Sequence, residues 1–212
     1  MRKVLMIGSA LAMTAVAVAY TRDALAKYEE PAYVVKLRDG KIEVREYPSV
    51  IAAEVTVQGA GNAASNEAFR LLAGYIFGKN KGSQKIAMTV PVTENVEAEK
   101  IAMTVPVTTQ VAQGTMRMRF FMPSKYSLES LPTPIDERIK FSALPPARYA
   151  VIRFTGLAHD ASIQQQTNIL LDYMRANKLE ADGSPVRAFF NPPWTLPFLR
   201  RNEVWIPLKA AS

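Results

Sequence analysis

The stretch that decides the fold runs from residue 33 to residue 57 and reads YVVKLRDGKIEVREYPSVIAAEVTV. Two short runs rich in valine, isoleucine and tyrosine, at 33–37 and 41–47, flank Asp39-Gly40, a pair that suits a tight turn between antiparallel strands. Pro48 ends the second run, and residues 50–57 supply a third strand. The stretch therefore predicts a β-hairpin followed by a further strand.

Two helices are predicted further along the chain. Over residues 62–77, Phe69, Leu72 and Ile76 recur at helical spacing; Asn62 or Ser65 could cap this helix, and Gly78 fits a C-terminal stop. Residues 162–177 carry a second broad apolar stripe. Later strands are predicted at 115–122, 140–144, 148–154, 186–190 and 203–208. Strands gathered around two separated helices predict an α+β domain with a mostly antiparallel, curved sheet.

A nine-residue element, KIAMTVPVT, occurs at 85–93 and again, unchanged, at 100–108. Two copies are too few for a solenoid, so they are interpreted as neighbouring extended segments joined by the acidic stretch 94–99. Because Pro91 and Pro106 cannot donate to a strand ladder, each segment is expected to be an edge strand or to leave the sheet at its proline.

The first 26 residues differ from the rest of the 212-residue chain. Arg2 and Lys3 precede an uncharged apolar run at 4–20, and Ala24-Leu25-Ala26 forms a small-x-small cleavage site, which predicts a secretory signal peptide at 1–26. An uncleaved membrane anchor is the alternative, because 17 uncharged residues lie at the short end of what spans a bilayer. We therefore expect a single domain at 27–212, periplasmic or otherwise exported, or else anchored and facing the periplasm.

Composition excludes several kinds of chemistry. The chain has no cysteine, so disulfides, thiolate catalysis, thiolate haem ligation and iron–sulfur clusters are excluded, and its single histidine, His159, excludes a multi-histidine metal site. No nucleophile, base and orienting residue occur at a recognisable spacing, which predicts a protein without enzymatic activity. The formal charge of +7 is scattered, and an exported protein seldom meets nucleic acid, so no nucleic-acid partner is expected.

Seven strings in the chain resemble the SOUL haem-binding family, in the family's order and over residues 28–208. They are REYP at 45–48, NEAFR at 66–70, the KIAMTxPVT element, FMPS at 121–124, RFTG at 153–156, NPPWT at 191–195 and FLRRNEVW at 198–205. The resemblance implies a distorted β-barrel flanked by two helices. It also implies non-covalent binding of haem or another tetrapyrrole in an apolar surface cleft beside the first helix, with a role as carrier, buffer or scavenger.

A haem site needs apolar walls and cations for the two propionates. The first helix and its end offer the walls in Phe69, Leu72, Tyr75, Ile76 and Phe77, and the cations in Arg70, Lys79 and Lys81. An apolar stripe at helical spacing is also what a core-facing helix shows, so individual members of this set could be core residues instead.

The candidates for an axial iron ligand are Met88 and Met103, placed identically in the two copies of the repeat, with His159 and Tyr75 as further donors. Each has an ordinary structural alternative: methionine fills gaps in cores, and His159 precedes a helix at the surface. Ligation is not required for tight binding. At ~0.3 kcal/mol per heavy atom, the forty or so atoms of haem could gain ~12 kcal/mol from packing alone.

Two other functions fit the same fold. The cleft could take a non-haem effector or a partner peptide, which the lack of a defensible iron ligand favours. Tetrapyrrole modification such as dechelation is the enzymatic alternative, and it needs acid or base groups beside the ring.

Overall fold

A computed structural model describes residues 28–97, 114–192 and 194–210. Nine strands form one antiparallel sheet that curls into a half-barrel, in the order β1-β2-β7-β9-β8-β4-β5-β3-β6, with two α-helices. The elements are β1 Val34–Asp39, β2 Ile42–Tyr47, β3 Val50–Gln58, α1 Gly61–Ile76, β4 Val92–Glu97, β5 Thr115–Phe121, β6 Lys140–Leu144, β7 Ala147–Thr155, α2 Asp160–Ala176, β8 Val186–Phe189, a 3₁₀ turn Pro197–Leu199 and β9 Arg201–Leu208. The predicted α+β class with a curved antiparallel sheet and two flanking helices is confirmed.

The predicted hairpin is β1–β2. Asp39 pairs with Ile42, and Gly40 has a φ of +56°, the left-handed region that a tight hairpin turn requires and glycine adopts without strain. β2 then pairs along its whole length with β7, which joins the hairpin to the second half of the chain.

The sheet contains one supersecondary unit twice. β3-α1-β4-β5 and β7-α2-β8-β9 both run strand, helix, strand, strand, and in both the sheet order is third strand, fourth strand, first strand. One row of the first unit, Val55, Met118 and Glu94, has its equivalent in Ile152, Val204 and Arg187 of the second. The two rows meet where Glu94 pairs with Arg187. A pseudo-twofold axis therefore passes between β4 and β8.

Each helix packs on the same face of the sheet, over its own half. The α1 core includes Leu72, Tyr75 and Met116, and the α2 core includes Ile152 and Leu170. Because side chains alternate along a strand, the other face carries a third cluster, which we call the helix-free face. Its buried members are Tyr47, Ala52, Val90, Phe121, Val151, Ala188, Phe190 and Trp205.

The first copy of the repeated element enters the sheet only after Pro91, since β4 begins at Val92. β4 is bonded to β5 on one side and β8 on the other, so this copy is not an edge strand, and its proline marks the boundary between the part outside the sheet and the part inside it. The second copy, 100–108, lies outside the described residues. The prediction that the acidic stretch 94–99 is a connection is wrong in its first part, because strand β4 continues to Glu97. Glu94 tolerates burial there through the Ser65 hydroxyl, which donates to it at 3.0 Å.

The predicted start of the first helix is also corrected. Ala60 is the N-cap of α1, with no side-chain hydrogen bond, and Asn62 and Ser65 both lie inside the helix. The Ser65 hydroxyl instead donates to Glu94. The stop is as expected, because Gly78 follows the helix with a φ of +110°.

The predicted signal peptide at 1–26 lies outside the described residues. Within 28–97, 114–192 and 194–210, no helix combines the length and the apolar character needed to cross a bilayer.

Candidate functional site

Two aromatic side chains on α1 and at its end are exposed to solvent. Phe69 is 38% exposed, with its ring 5.5 Å from that of buried Phe120, and Phe77 is 66% exposed. Arg70 and Lys79 beside them are also exposed. We call Phe69, Arg70, Phe77 and Lys79 the α1 surface. They are the members of the predicted wall and cation set that lie exposed on α1 or just beyond its end.

The other predicted wall residues lie beneath this surface. Leu72, Tyr75 and Ile76 are buried in the α1 core. The Tyr75 hydroxyl donates to the carbonyl oxygen of Pro132 at 2.9 Å, and burial, with a smaller contribution from Tyr126, raises the pKa of Tyr75 to about 12. These three side chains support the α1 surface from below and present no exposed atoms to a ligand. For them the structure favours the core-residue interpretation.

The candidate axial ligands are scattered. Met88 is half-buried against the α1 core, whereas His159 is the exposed N-cap residue of α2, in the other half of the sheet. Met103 lies outside the described residues. Among the residues that the structure describes, no group of three or more histidine, aspartate or glutamate side chains could hold a metal ion.

A buried ion network occupies the helix-free face. Arg45 from β2 donates to both carboxylate oxygens of Glu203 on β9, at 2.8 and 3.1 Å. Arg201 Nε donates to the same carboxylate at 2.9 Å, and the Trp205 indole N–H donates at 2.7 Å. Arg45 and Glu203 are 2% and 1% exposed, so this carboxylate is fully satisfied away from water.

The charged groups of the network, together with their burial, change one another's pKa values. Burial alone would raise the pKa of Glu203, but the Arg45 hydrogen bond, the charges of Arg201 and Arg45 and the Trp205 hydrogen bond outweigh it, and the pKa is lowered. Burial likewise opposes the charge of Arg45, but Glu203 raises the pKa of Arg45 overall. Burial raises the pKa of Tyr47 next to them. Both ions of the Arg45–Glu203 pair therefore stay charged across the neutral range.

Sequence reasoning missed this network, although its members lie in two of the family-like strings, REYP and FLRRNEVW. The available signal was the alternation in β9, where Arg201, Glu203 and Trp205 share one face and apolar Val204 and Ile206 share the other. Charged residues on one face of a strand usually indicate that this face is exposed to solvent. Only the pairing of β9 with β7, and of β7 with β2, brings Arg45 to this carboxylate.

A polar cleft of about 230 Å³ lies on the helix face beside α2. Arg187 links two acids there, with Glu94 at 3.5 Å and Asp160 at 3.0 Å. The lining residues are Glu94, Ile163, Gln164, Thr167, Ser184, Pro185, Arg187 and Val204. This cleft is small and charged, so it suits a small polar molecule better than a macrocycle.

Comparison with known protein families agrees with the fold and the strings. The model described as SOUL heme-binding protein matches residues 28–97 and 93–207. The chain belongs to the SOUL haem-binding family. Heme-binding protein 2 of Homo sapiens is 27% identical over 169 residues, which cover 79% of this chain and 78% of the human protein.

Solved structures share the architecture of this SOUL-family chain at low sequence identity. The C-terminal domain of EcmrR superposes with a TM-score of 0.59 at 11% identity, over 80% of this chain and 98% of that domain. An uncharacterized conserved protein from Listeria innocua superposes with a TM-score of 0.60 at 13% identity, over 80% of this chain and 92% of that one. At these identities the likeness concerns the fold alone.

Proposed function

We propose that this SOUL-family protein binds haem or a related tetrapyrrole non-covalently on the α1 surface, and that it acts as a carrier, buffer or scavenger outside the cytoplasm. The observation that carries the proposal is the exposed pair Phe69 and Phe77 beside Arg70 and Lys79, in a chain that belongs to a haem-binding family. The exported location rests on the leader-like residues 1–26.

The physical case begins with the aromatic pair. The two phenylalanine rings expose apolar surface to water, and a flat apolar ligand would cover it. Each Å² of apolar surface removed from water contributes roughly 25 cal/mol of binding free energy. Phe69 is held in place through its contact with Phe120, so its ring is positioned before a ligand arrives. Residues 69 and 77 are about 12 Å apart along the helix axis at 1.5 Å per residue, a span that suits a macrocycle.

The cations complete the site. Arg70 and Lys79 are exposed and can pair with propionates, which need charge and hydrogen-bond donors but no enclosed pocket. Lys79 extends its stem over Gly74, because its Cδ lies 3.1 Å from where a Cβ on that glycine would stand. Its aliphatic part therefore adds apolar area to the same surface while its ammonium group stays in water.

Bound haem would supply the affinity of its flat apolar ring, and the α1 surface would supply the contacts to that ring and to the propionates. Met88, the candidate axial ligand from the first copy of the repeat, is half-buried against the α1 core. Because the affinity would come from packing against the ring, iron-free protoporphyrin IX should bind with an affinity close to that of haemin.

The test is a haemin titration followed by Soret absorbance on the wild type and on the double variant Phe69→Ala/Phe77→Ala. We expect the double variant to bind at least about tenfold more weakly, since it loses two aromatic contacts. Ile169→Ala is the matched control, because Ile169 is an exposed apolar residue on α2. His159→Ala is expected to leave the affinity unchanged.

Equal haemin binding by the wild type and the double variant would refute the α1 surface as the site. Absence of saturable binding to any variant would refute the tetrapyrrole function. It would instead favour an effector-binding module, for which the charged cleft around Glu94 and Arg187 is the observed candidate.

A further inference from the structure

A short segment, residues 28–33, lies across the helix-free face and covers part of the buried ion network; we call it the strap. The Glu29 carbonyl accepts from the N–H of Val90 at 2.9 Å, and its carboxylate accepts from the N–H of Ser124 at 2.8 Å. Tyr33 packs against Tyr47 at a ring distance of 5.2 Å and lies 4.4 Å from the Arg45 guanidinium. The strap is thus attached by individual contacts rather than by a strand ladder.

Glu30 of the strap makes a bidentate pair with Arg201. Its two carboxylate oxygens lie 2.9 and 3.0 Å from the guanidinium nitrogens. The guanidinium is fixed independently of the strap, because Glu203 accepts from its other edge at 2.9 Å and Phe190 stacks 3.6 Å beneath it. Arg201 is therefore a preorganised carboxylate receptor whose outer edge Glu30 now fills.

The two carboxylates on Arg201 differ in access. The Glu203 side chain is fully buried, whereas that of Glu30 is 29% exposed. An arriving carboxylate can consequently replace Glu30 on the outer edge of Arg201 without disturbing Glu203. The exchange trades one carboxylate for another in the same geometry, and Glu30 is released to water, where a charged side chain is well solvated.

A strongly apolar loop leads directly into Arg201. Residues 190–200, of which the structure describes all but 193, connect β8 to β9. Three of the described large apolar side chains are exposed: Trp194 is 82% exposed, Phe198 68% and Leu196 52%. We call these three residues the loop patch.

The loop is tied at its base and along its length. The Arg201 N–H donates to Asn191 Oδ1 at 2.6 Å, Arg200 Nε donates to the Thr195 carbonyl at 2.8 Å, and the Gly156 N–H donates to the Pro197 carbonyl at 3.0 Å. The exposed apolar side chains are therefore presented by a braced loop, on the same hairpin as the carboxylate receptor.

We propose that Arg201 and the loop patch form a binding site for an amphipathic carboxylate, whose carboxylate takes the place of Glu30 and whose apolar body lies on Trp194, Leu196 and Phe198. This site is separate from the α1 surface. Charge complementarity selects the ligand class: a guanidinium that already holds a carboxylate bidentately accepts an anion of the same geometry, while a neutral or cationic apolar molecule gains nothing from it.

Fatty acids and the propionate side chains of tetrapyrroles share this chemistry. Decanoate and protoporphyrin IX represent the two sources in the test, and 1-decanol is the neutral control for the decanoate chain. Binding of each to the full-length protein is measured by isothermal titration calorimetry, with quenching of tryptophan fluorescence as a second signal.

Glu30→Gln replaces the internal carboxylate on the outer edge of Arg201 with a neutral amide, which is a weaker competitor. We expect this variant to bind decanoate about fivefold more tightly and 1-decanol with unchanged affinity, a gain that misfolding would not produce. Trp194→Ala/Phe198→Ala is expected to weaken the binding of decanoate and of 1-decanol at least about fivefold. The control Ile135→Ala, at another exposed apolar residue, should change neither affinity.

The inference would be overturned if Glu30→Gln changed the affinities for decanoate and 1-decanol equally. It would also be overturned if the variant changed the affinity for neither decanoate nor protoporphyrin IX. Either result would leave haem binding at the α1 surface intact. Tighter protoporphyrin IX binding by Glu30→Gln would identify a tetrapyrrole source, and a response of decanoate alone a fatty-acid source. If haemin fails to bind while decanoate responds to Glu30→Gln, the proposed function falls and the carboxylate site stands.

Discussion

The half of the molecule around α1 and the half around α2 are built from the same strand-helix-strand-strand unit, yet they carry opposite charges at equivalent positions. On the helix face Glu94 of the first half corresponds to Arg187 of the second. On the helix-free face Arg117 of the first half corresponds to Glu203 of the second. The sheet pairing is shared, whereas the sign of the charge at these equivalent positions is reversed.

The two halves differ in where they place charged pairs and exposed aromatic residues. At the join, the opposite charges pair with each other, Glu94 with Arg187, so each unit complements the other rather than a copy of itself. On the helix-free face, Glu203 gathers Arg45, Arg201 and the Trp205 indole. The second half therefore holds the buried network, while the first half presents the exposed aromatics of the α1 surface.

The largest effect is expected from breaking the network. Glu203→Gln would remove the buried carboxylate that Arg45 and Arg201 share and leave each guanidinium with one acid, Glu43 at 2.6 Å and Glu30 at 2.9 Å. Removal of one partner from a buried ion network costs about 3–5 kcal/mol. The equivalent change in the first half, Arg117→Gln, affects a half-buried side chain and is expected to cost about 1 kcal/mol. Urea unfolding of both variants measures the two free energies, and equal losses would contradict the asymmetry between the halves.

The same carboxylate should govern acid stability. The pKa of Glu203 is lowered by folding from an ordinary value of 4.5, so its contribution is present above that value and is lost as the pH falls through the folded pKa. The wild type should therefore lose more stability than Glu203→Gln between neutral pH and acid. Parallel pH profiles for the two proteins would show that this carboxylate does not titrate as the structure indicates.

The next effect compares the two cores. Leu72 on α1 and Leu170 on α2 are both fully buried, and each substitution to alanine is expected to cost about 3 kcal/mol. Because β4–β8 pairing joins the halves in one sheet, both variants should still unfold in a single transition with an unchanged denaturant slope. A second transition in either variant, seen by circular dichroism, would show that the halves unfold independently.

The local structure was predictable from the sequence where short-range signals agree. The hairpin at Asp39-Gly40, the helix stop at Gly78 and the alternation in β5 all follow from spacing and turn chemistry, and the structure contains each of them. The repeated supersecondary unit was not predictable, since the two copies share sheet order and register rather than residues. Glu94 was placed in a connection because an acidic stretch ordinarily indicates solvent.

The candidate site divides in the same way. Helical spacing identified Phe69, Leu72 and Ile76 together, but spacing cannot separate residues that face the core from those at its edge, and only Phe69 of the three is exposed. The Arg45–Glu203 pair joins residues 158 positions apart. A single sequence offers no local signal for such a pair, because strand order decides it.

The smallest effect tests the join itself. Glu94 is almost fully buried and Arg187 about a quarter exposed, with 3.5 Å between them, so a double-mutant cycle with Glu94→Gln and Arg187→Gln should give a coupling of about 1 kcal/mol. The amide oxygen introduced by Glu94→Gln can still accept from the Ser65 hydroxyl, which confines the change to charge. The exposed pair Asp172 and Arg175 in α2 is the control, expected near ~0.3 kcal/mol because water screens it. A coupling at the join no larger than in this control would mean that sheet pairing alone holds the two units together and that their opposite charges are incidental.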